Sequence, residues 1–286
     1  MAKIGLVLSG GMAKGAYQIG VLKALSEYLS PAEIDLTSAS SIGVLNAYAF
    51  HTGKLDFATE LWKLSAMDGS RRVITSMLRS TFLQSSIANL YSPSDALQSE
   101  LYLSLYNFSK NHLSYVELSK QPQTQYVDYL RASVCMPLYN RAVVLGQDKF
   151  FDGAMIDNIP MLPLVQHKPD YVICVYFDSE NYIFENREFD RRVVKITFPD
   201  DKIIATSVFF KPDSVEYMIA QGYDYAKELF AKLFANGKDD LPHIYQEIAR
   251  LNVLSAQRPF RITGDIMVRN LNKVTQKLTR RRRIIG

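Results

Sequence analysis

Lys3-Ile4-Gly5-Leu6-Val7-Leu8-Ser9-Gly10-Gly11-Met12-Ala13-Lys14-Gly15 opens with a short apolar, β-rich run that stops at paired glycines. From Ala16 to Leu29, Ile19, Leu22 and Leu25, or Val21, Leu25 and Tyr28, recur at helical spacing, so the segment reads as strand, tight loop and helix. The unit then repeats. Ile34 to Ser40 is a second strand, Ala39-Ser40-Ser41-Ile42-Gly43 a sharp turn, and Val44 to Phe50 a compact, Ala-containing buried helix. Strand, helix and strand in that order predict a parallel pair, whose reactive loops lie at the carboxyl ends of the strands.

Each loop has a chemical reading and a bland one. A serine hydroxyl becomes a nucleophile when a base takes its proton and backbone amides receive the charge on the carbonyl oxygen. Ser41 sits in A-x-S-x-G, a small-residue variant of the G-x-S-x-G elbow, and with the glycine loop it suggests acyl transfer. Alone, Ser41 reads as a helix cap ahead of a nucleophile. The glycine loop fits neither phosphate-binding formula: Lys14 precedes Gly15 and Ala16 where a P-loop needs Gly-Lys-Ser/Thr, and Gly10, Gly11 and Gly15 do not give G-x-G-x-x-G.

Further along, residues from about Phe57 to Tyr129 are expected to form an α-rich covering segment, with Ser92-Pro93-Ser94-Asp95 as a helix start. Arg141 to Phe151 predicts a hairpin around Gly146-Gln147-Asp148 that delivers the chain to Asp152-Gly153. Tyr171 to Phe177 and Val193 to Phe198 read as strands, the first continuous enough to be central, and the chain from about Val215 is helical. The expected division is a domain over 1–240 and a basic, helical extension over 241–286.

The bulk properties bound the function class. The 286 residues are 48% hydrophobic and 22% charged, ordinary globular values. Net charge is +4, but from Arg258 onward nine basic residues face Asp265 alone, so the tail carries +8 and the remainder −4. Nucleic-acid binding is not expected, because the rest of the chain is acidic and holds no recognisable module. Cys135 and Cys174 lie in apolar stretches and read as free thiols in a reducing compartment. With no apolar run near the roughly 18 residues that cross a bilayer, a cytoplasmic protein is expected. Ile203-Ile204, Val208-Phe209-Phe210, Met77-Leu78 and Phe82-Leu83 are apolar patches read as core ahead of lipid contact. The tail from Lys273 to Arg283 offers peripheral contact with anionic headgroups, worth about 1 kcal/mol per basic residue, against the commoner reading of a solvated chain end.

Three separated blocks together resemble the patatin-like phospholipase family: Leu8-Ser9-Gly10-Gly11-Met12-Ala13-Lys14-Gly15-Ala16-Tyr17, then Ser38-Ala39-Ser40-Ser41-Ile42-Gly43-Val44-Leu45-Asn46-Ala47, then Phe151-Asp152-Gly153-Ala154 with Asp157-Asn158-Ile159-Pro160. Arg131-Ala132-Ser133-Val134-Cys135-Met136-Pro137 resembles the stretch that family carries before its aspartate. The likeness runs from about residue 3 to about residue 177. It implies a three-layer α/β/α fold with a mainly parallel sheet, and a Ser-Asp dyad of Ser41 as nucleophile and Asp152 as general base. It further implies an oxyanion hole from Gly10, Gly11 and Met12, support from Lys14, Gly15, Gly43 and Gly153, and no metal or cofactor.

The implied substrate is a phospholipid or another fatty-acyl ester. None of His51, His112, His167 and His243 has flanking residues that mark a base, which accords with a dyad. For the base to work its carboxyl must titrate well above the usual value of about 3.9, as burial would arrange. Met12 and Ala39 stand where the family carries glycine, and a side chain at Met12 resists positive φ. Those departures motivate a rival reading, a catalytically silent patatin-fold protein that binds lipid or a partner. A nucleotide-binding α/β module is a second rival.

Overall fold

The computed structural model describes residues 1–67, 81–137, 140–177, 183–197 and 212–256. Met77-Leu78, Ile203-Ile204, Val208-Phe209-Phe210 and the tail from Lys273 to Arg283 lie outside the described residues. The strands are β1 (Ile4–Leu8), β2 (Leu36–Ala39), β3 (Glu100–Asn107), β4 (His112–Glu117), β5 (Val143–Leu145), β6 (Asp148–Asp152), β7 (Tyr171–Tyr176) and β8 (Val193–Thr197). They form one mixed, mostly parallel sheet in the path β5-β6-β3-β2-β1-β7-β8, with β4 also paired to β3. The principal helices are α1 (Gly15–Leu25), α2 (Ile42–His51), α3 (Leu55–Met67), α4 (Thr81–Leu90), α5 (Tyr126–Ser133), α6 (Leu162–His167), α7 (Pro212–Leu233) and α8 (Leu241–Ala256).

Alternation along the central strands shows why three layers form. Ile4, Leu6 and Leu8 of β1 and Tyr171, Ile173 and Val175 of β7 enter one core with α1, α2 and α7. Val7 of β1 and Val172, Cys174 and Tyr176 of β7 enter a second core on the opposite face, with Leu164 of α6. Successive strand residues face opposite ways, so a strand covered on both faces must be apolar throughout, as these are. α8 begins where the basic extension is expected, and its Ile244 and Ile248 are buried in the first core.

The expected hairpin near Gly146 is β5 and β6, paired from Val143↔Phe150 to Leu145↔Asp148. The α-rich expectation for Phe57 to Tyr129 needs correction, because β3 and β4 lie inside it. Asp95 closes a turn instead of starting a helix: its carboxylate accepts from the Ser92 N–H, Tyr48 Oη and Lys54 Nζ. The chain is then free to enter β3, whose Leu101, Leu103 and Leu105 alternate into the core.

The pairing around β3 places the site. Residues 100–103 pair in parallel with β2, and 105–107 pair antiparallel with β6. β4 spans Tyr102 to Asn107 on the opposite edge, so β2 and β6 share one edge of β3. One runs parallel to β3 and the other antiparallel. Their carboxyl ends therefore meet head to head across Ser104.

Candidate active site

At the end of β2, Ser41 adopts φ 53° and ψ −131°, a conformation L-residues rarely hold. Such strain costs on the order of 1–3 kcal/mol and persists only where the surroundings enforce it. The Ser40 N–H donates to Leu8 O at 3.1 Å and the Val44 N–H to Ser41 O at 2.9 Å, fixing both sides of the turn. Gly43 lets α2 descend onto the end of β1, since a Cβ there would stand 2.6 Å from Leu8 O and 2.7 Å from Ser9 O. Although Ser41 occupies the cap position of α2, its hydroxyl makes no capping bond. The cap reading fails, and the half-buried Oγ stays available.

Asp152 ends β6 and is fully buried. Oδ1 accepts from the Ala154 N–H at 2.9 Å, while buried Oδ2 makes no complete hydrogen bond. Burial pushes the carboxyl up to about 7, opposed first by the Ser41 hydroxyl and then by the Ala154 N–H. The Ser41 hydroxyl is thus the side chain that opposes the rise, while Oδ2 itself has no hydrogen-bond partner among the described residues. Gly153 permits the approach, because a Cβ there would lie 2.2 Å from Ser104 Oγ and 2.4 Å from Ser104 O.

The glycine loop lies beside them: a Cβ on Gly10 would meet Ser41 Cβ at 2.8 Å. Of the three amides expected to receive an oxyanion, that of Gly10 is already committed to Asn158 O at 3.3 Å. Among the described residues the amides of Gly11 and Met12 have no acceptor. Met12 takes φ 53°, the left-handed conformation its side chain disfavours. Lys14 is buried, donates from Nζ to Phe177 O at 3.3 Å and lies over the Phe177 ring, so it ties the loop to the end of β7. Gly11 faces the same ring, with room for no side chain.

Several supporting residues go beyond the expected site set, although Asn46, Asp157 and Asn158 lie within the family-like blocks. Asn158 clamps the glycine loop from the far side, Nδ2 donating to Gly10 O at 3.1 Å. Its neighbour Asp157 uses its carbonyl to accept from Ser40 Oγ at 3.2 Å and Ser104 Oγ at 3.4 Å, and its carboxylate to accept from Tyr115 Oη at 2.5 Å. Within the core, Gln18 Nε2 donates to Ser9 O at 2.8 Å and Asn46 Nδ2 to Gly15 O and Gln18 Oε1, both at 2.9 Å. Trp62 Nε1 completes this chain by donating to Asn46 Oδ1 at 3.2 Å. A satisfied buried network of this kind holds one geometry and penalises others. The sequence signals were the family-like blocks for Asn46, Asp157 and Asn158 and, for Gln18, a lone amide in a mostly apolar helix.

His51 closes α2, about 15 Å along the helix from its start, and is bound to Thr37 Oγ1 at 2.7 Å. Burial pulls its imidazole down to about 4. His112 starts β4, His167 ends α6 and His243 lies on α8. Among the described residues no group of three His, Cys, Asp or Glu is arranged to hold a metal, and no helix is long and apolar enough to cross a membrane.

A family profile described as patatin-like phospholipase matches residues 6–165. The chain is 30% identical over 225 residues to a protein named lysophospholipase NTE1 from Cryptococcus neoformans, covering 68% of this chain and 13% of that one. It is 29% identical over 169 residues to patatin-like phospholipase domain-containing protein ZK370.4 from Caenorhabditis elegans, covering 55% of this chain and 12% of that one. The chain thus spans about an eighth of the length of these relatives. Among solved structures, VipD from Legionella pneumophila aligns with a TM-score of 0.47 at 12% identity, covering 88% of this chain and 74% of that one.

Proposed function

The chain belongs to the patatin-like phospholipase family, and from that premise we propose that it is a serine acyl hydrolase that cleaves fatty-acyl esters of phospholipids or related lipids through an acyl-enzyme. The observation that carries the reading is a fully buried carboxyl, Asp152, raised to about 7 and acted on by the hydroxyl of a serine held in a strained turn. A base that titrates near neutrality can both take and return a proton at working pH. The strain keeps Ser41 Oγ out of the helix-capping geometry it would otherwise adopt.

In the proposed reaction Ser41 Oγ attacks the ester carbonyl while Asp152 Oδ2 takes its proton. The amides of Gly11 and Met12 receive the oxyanion, and the start of α2 adds its positive end. Gly10 acts as scaffold through its paired bonds with Asn158. Asp152 then returns the proton to the leaving alcohol, and water, deprotonated by the same carboxylate, releases the acid. Lys14 and Gly15 hold the loop.

A fluorophosphonate probe tests the reading. The wild-type chain should be labelled at Ser41 and should hydrolyse a lysophospholipid, Ser41→Ala should take no label, and Asp152→Asn should be labelled at least 100-fold more slowly. Wild-type turnover retained in both variants would refute the dyad.

A further inference from the structure

One side chain reaches the site from a strand that carries none of its chemistry. β4 lies on the edge of β3 opposite to β2 and β6. Its Tyr115 stands directly across from Ser104, and opposed residues of an antiparallel pair share one face of the sheet. Both hydroxyls end on Asp157. Ser104 Oγ donates to the Asp157 carbonyl at 3.4 Å, and Tyr115 Oη donates to its Oδ2 at 2.5 Å. Two neighbouring strands thus grip Asp157 by its main chain and by its side chain.

Asp157 in turn joins the turns that hold the dyad. Its N–H donates to Gly153 O at 3.0 Å, one residue past Asp152, and its carbonyl accepts from Ser40 Oγ at 3.2 Å, one residue before Ser41. Asn158, the next residue, holds Gly10 by two bonds. The place of one residue therefore sets three loops against one another. The two serine bonds to its carbonyl are long and neutral, whereas the tyrosine bond is short and made to a carboxylate, the stronger kind. The other carboxylate oxygen accepts from the Ile159 N–H at 3.2 Å, a bond inside the same loop that moves with it. Tyr115 ties that loop to the sheet. Burial raises the Asp157 carboxyl, opposed first by the Tyr115 hydroxyl and then by the Ile159 N–H, so the charge leans on Tyr115 most. Without it the carboxylate must turn to water or take up a proton.

Resting on the Ser41 reading, we propose that Tyr115 is a positioning residue of the dyad: acting through Asp157, it fixes the nucleophile turn against the base turn, and the glycine loop with them. It touches neither substrate nor Ser41. Its hydroxyl sets how closely the serine and the carboxyl meet, and a small misplacement of reacting groups slows chemistry far more than it weakens binding.

Tyr115→Phe in the full-length chain removes the hydroxyl and keeps the ring. Expected is a full complement of fluorophosphonate label per chain, as in wild type, taken up about tenfold more slowly, with kcat for p-nitrophenyl butyrate reduced by the same factor and KM unchanged. In an Asp157→Ala background the same substitution should have no further effect, because a residue that acts through Asp157 then has nothing to act on. Amide hydrogen exchange reads the positioning without reference to catalysis: peptides spanning residues 40–44 and 153–159 should exchange about tenfold faster in Tyr115→Phe than in wild type. Effects that add, a loss confined to KM, or labelling at the wild-type rate overturn the proposal, and so does unchanged exchange in either turn. Faster exchange in both turns of a chain whose wild type takes no label supports the positioning and sinks the Ser41 reading. Should Asp157→Ala fail to fold, Tyr115→Phe decides alone through its exchange and its split of kcat from KM.

Discussion

Replacing Asp152 by asparagine should make the protein more stable, and increasingly so as pH rises. The folded carboxyl holds its proton up to about 7, whereas the unfolded chain releases it near 3.8. Between those values the folded state binds more protons, so unfolding free energy falls as pH increases, and the wild-type chain bears that cost while Asp152→Asn does not. The full separation corresponds to about 4 kcal/mol. Part of it is already present at pH 5, and the change from pH 5 to pH 8 is about 2–3 kcal/mol. Asp152 is fully buried, so solvent screening does not reduce the figure. Asparagine keeps an oxygen for the Ala154 N–H, and every other titrating group cancels between the two proteins.

The assay is urea or thermal denaturation of both proteins at pH 5 and pH 8. For 286 residues the expected widening is about 4 °C in Tm, with the variant higher at pH 8. Parallel pH profiles would refute the argument, since they would mean that Asp152 ionises in the fold as easily as in the unfolded chain. Widening in the opposite sense would mean a carboxylate stabilised by its site, unsuited to take a proton from serine.

Two further outcomes are expected. Ser41→Gly should be more stable than Ser41→Ala by about 1 kcal/mol in denaturant, the reverse of the usual order, because only glycine is at ease at φ 53° and ψ −131°; an alanine variant equal or superior would show that the turn is unstrained. Gly153→Ala should lose about 1–3 kcal/mol and label more slowly with fluorophosphonate, because its Cβ must push Ser104 and β6 apart; unchanged melting and labelling would mean that the contact yields freely.

The strands that build the centre of the sheet were legible because burial on both faces forces continuous apolar runs, as in Tyr171 to Tyr176. β3 was not, although Leu101, Leu103 and Leu105 alternate, because the Ser92 to Asp95 turn carries the same residues as a helix start and only the distant Tyr48 and Lys54 decide between them. Ser41 and Asp152 could be singled out from local patterns and a family likeness. Their pairing was implied by the likeness alone; the route to it, β2 and β6 sharing one edge of β3, could not be read from local patterns. The commitment of the Gly10 amide to Asn158 was equally hidden, being a contact between residues 148 apart in the chain.

That shared edge also fixes when the proposed chemistry can begin. Ser41 is synthesised 111 residues ahead of Asp152. At roughly 5–20 residues per second the interval is about 5–20 s. Until then Ser41 has no such carboxylate to meet, and the glycine loop lacks its anchors at Asn158, Val175 and Phe177. An esterase that could attack lipid while still on the ribosome would meet membranes before its fold is finished. Competence for the proposed reaction is therefore deferred until Asp152, Asn158 and Phe177 have been made, because each supplies a contact that the serine turn or the glycine loop lacks without it.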